Sequence, residues 1–320
     1  MQDFALLNRV ILRLPHYKNK TSNRRTYLKF KILYFMTIHE IDAGSFKLDG
    51  GAMFGVVPKT LWTRTNPADS NNMIDIGARC MLIEHSNRLI LIDTGMGDKQ
   101  SEKFFGYYHP WGGATLENSL KEKGFHPDDI TDVFLTHLHF DHSGGCIKWA
   151  KDGKTLIPVF KNATYWSNKA HWEWATKPNA REKASFLKEN ILPIEESGQL
   201  KFVDRPDSAF GNSSELDFGI LFVDGHTDKQ MIPHITYNDK TIVFAADLLP
   251  TAGHLPLPYV MGFDTRPLLT LGEKENFLNK AADHTYYLWL QHDAHNPVIT
   301  VKHTEKGVRL DQKFNIADIL

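Results

Sequence analysis

The sequence predicts an α/β fold in which the sheets are covered by helices. Three observations predict it. Short apolar runs bounded by turn residues recur along the chain, as buried strands do. Segments with helical patterning alternate with them. Candidate metal-binding and catalytic residues sit at or just beyond the C-terminal ends of the runs, which would align them along one sheet edge.

Taken in order, Thr37-Ile38-His39-Glu40-Ile41-Asp42-Ala43-Gly44 reads as the first strand, opening just after Met36. Arg88 to Asp93 is a continuous apolar run ending in Asp93-Thr94-Gly95, and Ile130 to Leu135 is another. Ile220 to Asp224 ends at Gly225-His226, Thr241 to Ala246 ends at Asp247, and Val298 to Val301 comes late. Helices are predicted at 114–123, 168–175, 181–189 and 271–283. The last is introduced by Thr270-Leu271-Gly272-Glu273, which has the form of a capping box. No repeat, low-complexity tract or Pro/Ser-rich linker divides 36–320, so that segment is expected to be one domain. Residues 1–35 carry eight Lys/Arg against Asp3 alone, and they read as a basic N-terminal extension such as a misplaced start codon would add.

Composition excludes several function classes. The chain has 320 residues, 42% of them apolar, enough for a real core. Net charge is −1; with +7 in residues 1–35, the remainder stands at −8, which gives no electrostatic case for nucleic acid unless the tail serves as an arm. Cys80 and Cys146 form neither a C-x-x-C pair nor a disulfide framework, which fits a reducing, cytoplasmic location. Cys146 reads as a small core residue on a helix after the His-rich loop. No apolar run reaches the ~18 residues that a membrane span needs.

The most informative stretch is Thr136-His137-Leu138-His139-Phe140-Asp141-His142-Ser143-Gly144-Gly145. Three imidazoles and one carboxylate fall within six residues, directly after an apolar run. His137 and His139 are two apart and at a strand end would point to the same side. Asp141 and His142 follow where the chain leaves the strand, and the Gly pair lets the backbone turn tightly into a helix. Such N/O donors suit zinc or a similar divalent ion.

This H-x-H-x-D-H signature resembles the metallo-β-lactamase superfamily of dinuclear hydrolases. Further motifs extend the likeness. Asp224-Gly225-His226-Thr227 supplies a lone His where the family writes G-H-T-P-G-H, although Asp228 and Lys229 replace the Pro and second Gly. Phe244-Ala245-Ala246-Asp247 resembles the strand end F-x-G-D, with Ala246 at the Gly position, and Gln291-His292-Asp293 lies where the family carries its final His. The resemblance implies a four-layer αβ/βα sandwich, two mixed sheets packed face to face with helices outside. It implies two divalent ions, zinc first, one held by His137, His139 and His226 and the other by Asp141, His142 and His292. Asp247 and a hydroxide would bridge them. Seven N/O donors shared by two ions leave open coordination positions, and no thiolate closes the site. Asp93, in Ile92-Asp93-Thr94-Gly95, is expected to position the His loop rather than bind metal.

Sixteen His are present, and five are assigned. His295 is the rival to His292, which the His-Asp dipeptide favours. His39, His85, His126, His171, His234 and His303 are expected to be surface or satisfied core groups, and Asp264 with Arg266 to form a structural ion pair.

Leu48 to Lys59, and Ala246-Asp247-Leu248-Leu249-Pro250-Thr251 with His254-Leu255, look like the N-acyl-homoserine lactonase and methyl parathion hydrolase-like branch. The resemblance covers roughly 36–310. It implies a small-molecule substrate, a lactone or ester with an apolar chain. A bridging hydroxide would attack the carbonyl, and Asp141 or Asp247 would shuttle the proton. The branch's best-known lactonases carry a Tyr three residues after the bridging Asp; here that position is Pro250, and His254 or Tyr259 from the same loop are the alternatives. Organophosphate or aryl-ester hydrolysis and β-lactam hydrolysis rank behind, and RNA processing further behind. Two aromatic clusters, Phe104 to Trp111 and Tyr165-Trp166 with Trp172 and Trp174, read equally as pocket lining or as packing, a homodimer interface included.

Overall fold

The computed structural model describes residues 36–320 except 207 and 213–214, with the backbone of two short strands before them, β1 (Arg9–Ile11) and β2 (Ile32–Tyr34), paired antiparallel. The expectation that 1–35 is an extension otherwise lies outside the described residues.

Two mixed sheets form the centre. The first contains β3 (Thr37–Asp49), β4 (Met73–His85), β5 (Arg88–Ile92), β6 (Asp132–Phe134), β9 (Thr164–Ser167) and β10 (Leu200–Phe202), in the spatial order β10-β9-β6-β5-β4-β3. A hairpin of β7 (Ile147–Trp149) and β8 (Leu156–Pro158) stands beside it. The second sheet runs in sequence order from β11 (Phe210–Asn212) through β12 (Gly219–Val223), β13 (Gln230–Tyr237), β14 (Lys240–Phe244), β15 (Tyr287–Trp289) and β16 (Val298–Thr304) to β17 (Gly307–Phe314). Its one parallel pair is β14–β15. In the first sheet, β5, β6, β9 and β10 run parallel, and β3 and β4 pair antiparallel.

Period-two alternation builds the layers. On β4 and β5, Met81, Ile83, Ile90 and Ile92 face the second sheet and pack with Met231, Ile232, Val243 and Phe244. Their neighbours Cys80, Leu82 and Leu91 face the other way, against Leu120 of α4 (Leu116–Glu122), Trp172 of α6 (Lys169–Thr176) and Ile191 of α7 (Lys188–Glu196). Helix α8 (Pro267–Asp283) covers the second sheet through Phe277, Leu278 and Ala281. Each Val, Leu, Ile, Phe or Met side chain among these, fully buried, contributes on the order of 1.5–3 kcal/mol. The result is helix, sheet, sheet, helix, as the resemblance implied.

Several expectations need correction. The helix predicted at 181–189 begins only at Lys188, because 178–187 turns past the site instead. Helix α8 starts at Pro267, whose fixed φ suits a first turn, three residues before the supposed capping box. Glu273 does not cap it; its two oxygens accept the backbone N–H groups of Asp224 and Gly225 at 2.8 and 2.9 Å. The Gly pair does not lead into a helix. The helical turn α5 (Phe140–Ser143) precedes it, Gly144 to Cys146 is a 3-10 turn, and Cys146 is buried there rather than on a helix. Any Cβ at Gly144 or Gly145 would collide with the Met96 or Thr94 carbonyl, so close backbone approach is the reason for glycine. Among the described residues, no helix is long and apolar enough to cross a membrane.

Candidate metal centre

The site gathers at the C-terminal ends of five strands. The loop after β6 carries His137 to His142, the turn after β12 carries His226, β14 runs into Asp247, and β15, a strand not anticipated, runs into His292. Asp93 follows β5 with φ +58°, in the left-handed region that Asp tolerates better than most residues. Ala246 has φ +41° immediately before Asp247, so an alanine stands in left-handed backbone where the family's motif has glycine.

Seven residues converge in two groups. His137, His139, His226 and Asp247 offer donor atoms all within 4.8 Å of one another, and Asp141, His142 and His292 do the same. Asp247 joins the groups. Its Oδ2 is 3.1 Å from His226 Nε2 and 3.8 Å from His137 Nε2; its Oδ1 is 3.0 Å from His292 Nε2 and 3.4 Å from His142 Nε2. Asp141 Oδ2 lies 3.8 Å from His292 Nε2. All seven are buried.

Each imidazole is held by its far nitrogen. Asp93 Oδ2 accepts from His142 Nδ1 at 2.9 Å, Asp264 Oδ1 from His226 Nδ1 at 2.8 Å, and the Gly77 carbonyl from His292 Nδ1 at 2.9 Å. His137 Nδ1 is 3.1 Å from Thr136 Oγ1, whose hydroxyl donates to Asp93 Oδ2 at 2.8 Å. His139 is turned the other way: its Nδ1 faces the cluster, and its Nε2 is 3.5 Å from Glu182 Oε1. These partners assign the tautomers, leaving the inward nitrogens as lone-pair donors.

The donor set fits a cation. The inward nitrogens of His137 and His139, His139 and His226, and His142 and His292 are 3.1 Å apart in each pair. Lone pairs so close repel unless something positive lies between them, and ligand–ligand edges of roughly 3.3 Å follow from tetrahedral zinc–nitrogen bonds. Asp247 Oδ1 is buried with no hydrogen-bond partner. Electrostatics agree. Burial opposes ionisation of Asp247, but His142, His292 and His226 hold its carboxyl well below the usual range. Burial likewise opposes charge on His226, yet Asp247 and Asp264 lift it to about 10. The cluster stabilises positive charge, which protons or metal ions can supply.

The other expected site residues lie elsewhere. His254 is not presented to the cluster's cavity: Thr251 Oγ1 engages Nδ1 at 2.8 Å, Nε2 donates to the Met53 carbonyl at 2.9 Å, and the ring stacks on Phe54 at 4.3 Å. Burial brings its pKa to about 3. Tyr259 packs edge-on to Phe54, and its carbonyl accepts from buried Lys274. Pro250 is buried. The Asp264–Arg266 ion pair does not form; Asp264 serves His226, while Arg266 reaches Asp228 Oδ1 at 2.9 Å. His171 is a satisfied core group, accepting from Leu138 N at 2.9 Å and donating to the Asp228 carbonyl.

A cavity of about 360 Å³ opens onto the cluster, walled by Leu48, Met53, Phe140, Met261 and Phe263 with Tyr108 beside Asp141. The first aromatic cluster thus divides. Tyr108 lines this cavity, while Phe105 and Trp111 line a separate one of about 460 Å³ that contains none of the seven residues. The second cluster is packing: Tyr165, Trp166 and Trp172 are core, and Trp174 Nε1 donates to Glu182 Oε2 at 2.7 Å. Glu182 and Gln230, which lies 3.4 Å from His137 Nδ1, carried no sequence signal.

Comparison with known proteins agrees with this fold. The metallo-beta-lactamase superfamily profile matches residues 75–292. An N-acyl homoserine lactonase of Agrobacterium fabrum is 32% identical over 118 residues, covering 34% of this chain and 42% of that protein. The chain thus spans less than half the length of the curated relatives it matches. A solved probable metal-dependent hydrolase from Staphylococcus aureus superposes with TM-score 0.75 at 27% identity, over 87% of this chain and 96% of that one. A dizinc quorum-quenching lactonase solved with a bound product superposes with TM-score 0.67 at 23% identity, over 88% and 95%, a likeness of fold. With the profile spanning more than half its length and the fold matching over 87% of it, the chain belongs to the metallo-beta-lactamase superfamily.

Proposed function

We propose that the protein is a metal-dependent hydrolase that opens lactones, N-acyl-homoserine lactones first among them. One observation carries the reading: Asp247 presents one oxygen to each of two imidazole-rich groups at the end of a cavity with apolar walls. His137, His139 and His226 would hold one divalent ion and Asp141, His142 and His292 the other, with Asp247 shared and zinc the expected metal. Such a pair of ions supplies an ionised water at neutral pH and polarises a carbonyl oxygen.

The chain's own groups do the rest. Leu48, Met53, Met261 and Phe263 take the apolar chain of the substrate and keep water from it. Asp141 stands between cluster and cavity, 12% exposed, with no hydrogen bond to a described side chain. It can take the proton from the attacking water and pass it to the leaving oxygen. Overall, the water oxygen joins the carbonyl carbon, the ring C–O bond breaks, the departing alkoxide gains the proton, and a hydroxy acid results. The relatives named as lactonases, and the neighbour solved with an acyl-homoserine product, support this substrate class. A cytoplasmic location belongs to the same reading, supported by two buried free cysteines.

Aryl esters and phosphotriesters form a second reading, favoured by the aromatic wall of Phe140, Tyr108 and Phe263. The test is ring opening of a short- and a long-chain N-acyl-homoserine lactone by zinc-loaded protein, with metal content measured alongside. Turnover by the wild type, lost in Asp141→Asn together with one of two ions, is expected. No turnover with two ions bound would sink the lactonase reading and move the search to aryl esters and phosphotriesters.

A further inference from the structure

We propose that Tyr108 is the residue whose hydroxyl binds the substrate's carbonyl oxygen, a role that rests on the lactonase reading above. The cavity's polar groups can be sorted by what already occupies them. Most belong to the donor cluster itself. Glu182 can only accept, and its Oε2 is committed to Trp174 and Asn179. Arg181 directs Nη2 to the Gly262 and Asp264 carbonyls, where it steadies the loop that supports His226, while Nε and Nη1 stay uncommitted on an exposed side chain. His254 is sequestered, and Pro250 has no donor to offer. The Tyr108 and Ser185 hydroxyls remain with those Arg181 donors, and the two hydroxyls are the less exposed.

The two differ in placement and in rigidity. Ser185 adjoins Phe186, whose ring lies 4.7 Å from His139, and its carbonyl accepts from Phe140 N at 2.9 Å. Tyr108 ends α3 (Glu102–Tyr108) and lines the cavity together with Asp141 and His292. Its ring is wedged between Phe140 at 4.8 Å, Phe104 at 4.9 Å and Phe46 at 6.4 Å, and Phe46 in turn meets the His292 ring edge-on at 6.2 Å. Tyr108 is half-buried, and its hydroxyl makes no hydrogen bond to a described residue. A ring held by three aromatic neighbours, with an unspent donor on a residue that lines the same cavity as the donor cluster, is preorganised for an oxygen acceptor. A phenol stays protonated throughout the neutral range, so it can donate while the carbonyl oxygen gains charge and needs to transfer no proton itself.

The experiment compares Tyr108→Phe and Ser185→Ala with wild type, all zinc-loaded, against a lactone, an aryl ester and a phosphotriester. Calorimetric binding of the ring-opened acyl-homoserine is measured as well. Phenylalanine preserves the ring packing, so melting temperature and metal content should not move. The expected result for Tyr108→Phe is a kcat lower by about 10- to 100-fold with KM nearly unchanged, and several-fold weaker product binding. Unchanged kcat and binding in Tyr108→Phe would overturn the proposal, as would a loss confined to Ser185→Ala. If wild type turns over only the aryl ester or the phosphotriester, the lactonase reading fails separately. The same kcat comparison on that substrate then decides whether Tyr108 serves its carbonyl or phosphoryl oxygen. A wild type inactive on all three overturns both.

Discussion

The two halves of the donor cluster are built differently. The group of His137, His139 and His226 is all imidazole, and each ring is backed by a side chain: Thr136, Glu182 and Asp264. The group of Asp141, His142 and His292 contains a carboxylate of its own. Its rings are backed by Asp93 and a backbone carbonyl, and Asp141 lies toward the cavity beside Tyr108. The first half thus has its carboxylates, Glu182 and Asp264, behind its rings. The second brings negative charge to the front, where substrate and proton must pass. Both draw on both sheets: the His loop comes from the first, while His226, Asp247 and His292 come from the second.

Asp247→Ala is the most severe way to break this comparison, because one side chain serves both halves. The expected outcome is loss of both ions by metal analysis and activity at background. Retention of two ions would show that each half closes without the shared carboxylate. Asp264→Ala sharpens the difference instead. Affinity for one ion should fall by about 10- to 100-fold while the other is kept, since the backing carboxylate orients His226 and raises its basicity. Equal loss of both ions, read by chelator titration, would mean that the halves are not independent.

The smallest effect separates the fold's pH response from that of the metal. His234 lies outside the cluster, packed against Phe210, Phe277 and Tyr286, and burial, aided by Lys280, lowers its pKa to about 4. Between the usual value of 6.5 and about 4, the unfolded chain binds a proton that the folded chain refuses, so stability falls as pH drops through that window. The full effect is at most about 3 kcal/mol. His234→Leu should flatten the fall in melting temperature between pH 6.5 and 4 without changing metal content. An unchanged slope would remove His234 from the account.

The parts legible in the sequence are those whose signal is local. His137, His139, Asp141 and His142 fall within six residues, and apolar runs mark β5, β12 and β14, whose ends present Asp93, His226 and Asp247. Local patterning also gave α4 and α6 nearly to their ends, but misread Thr270–Glu273 as a cap. The four-residue spacing was right for a capping box, but Glu273 had a partner on another strand end.

By itself, then, the sequence determined the candidate donors, all but one of the strands that present them and the α/β class, because residue type, short apolar runs and turn residues act over a few positions, while the four-layer arrangement followed from the family resemblance. Tertiary structure alone decided how those donors are held and what else reaches them. His226 finds Asp264 across 38 positions, His292 finds Gly77 across 215, and His254 is drawn from the site by Met53 across 201. Tyr108 joins the cavity beside Asp141 only because Phe140 of the His loop and Phe46 of β3 meet its ring. A hydrogen bond or ring contact between distant positions exists only once the layers have packed, and no local pattern of residues records which partner will arrive.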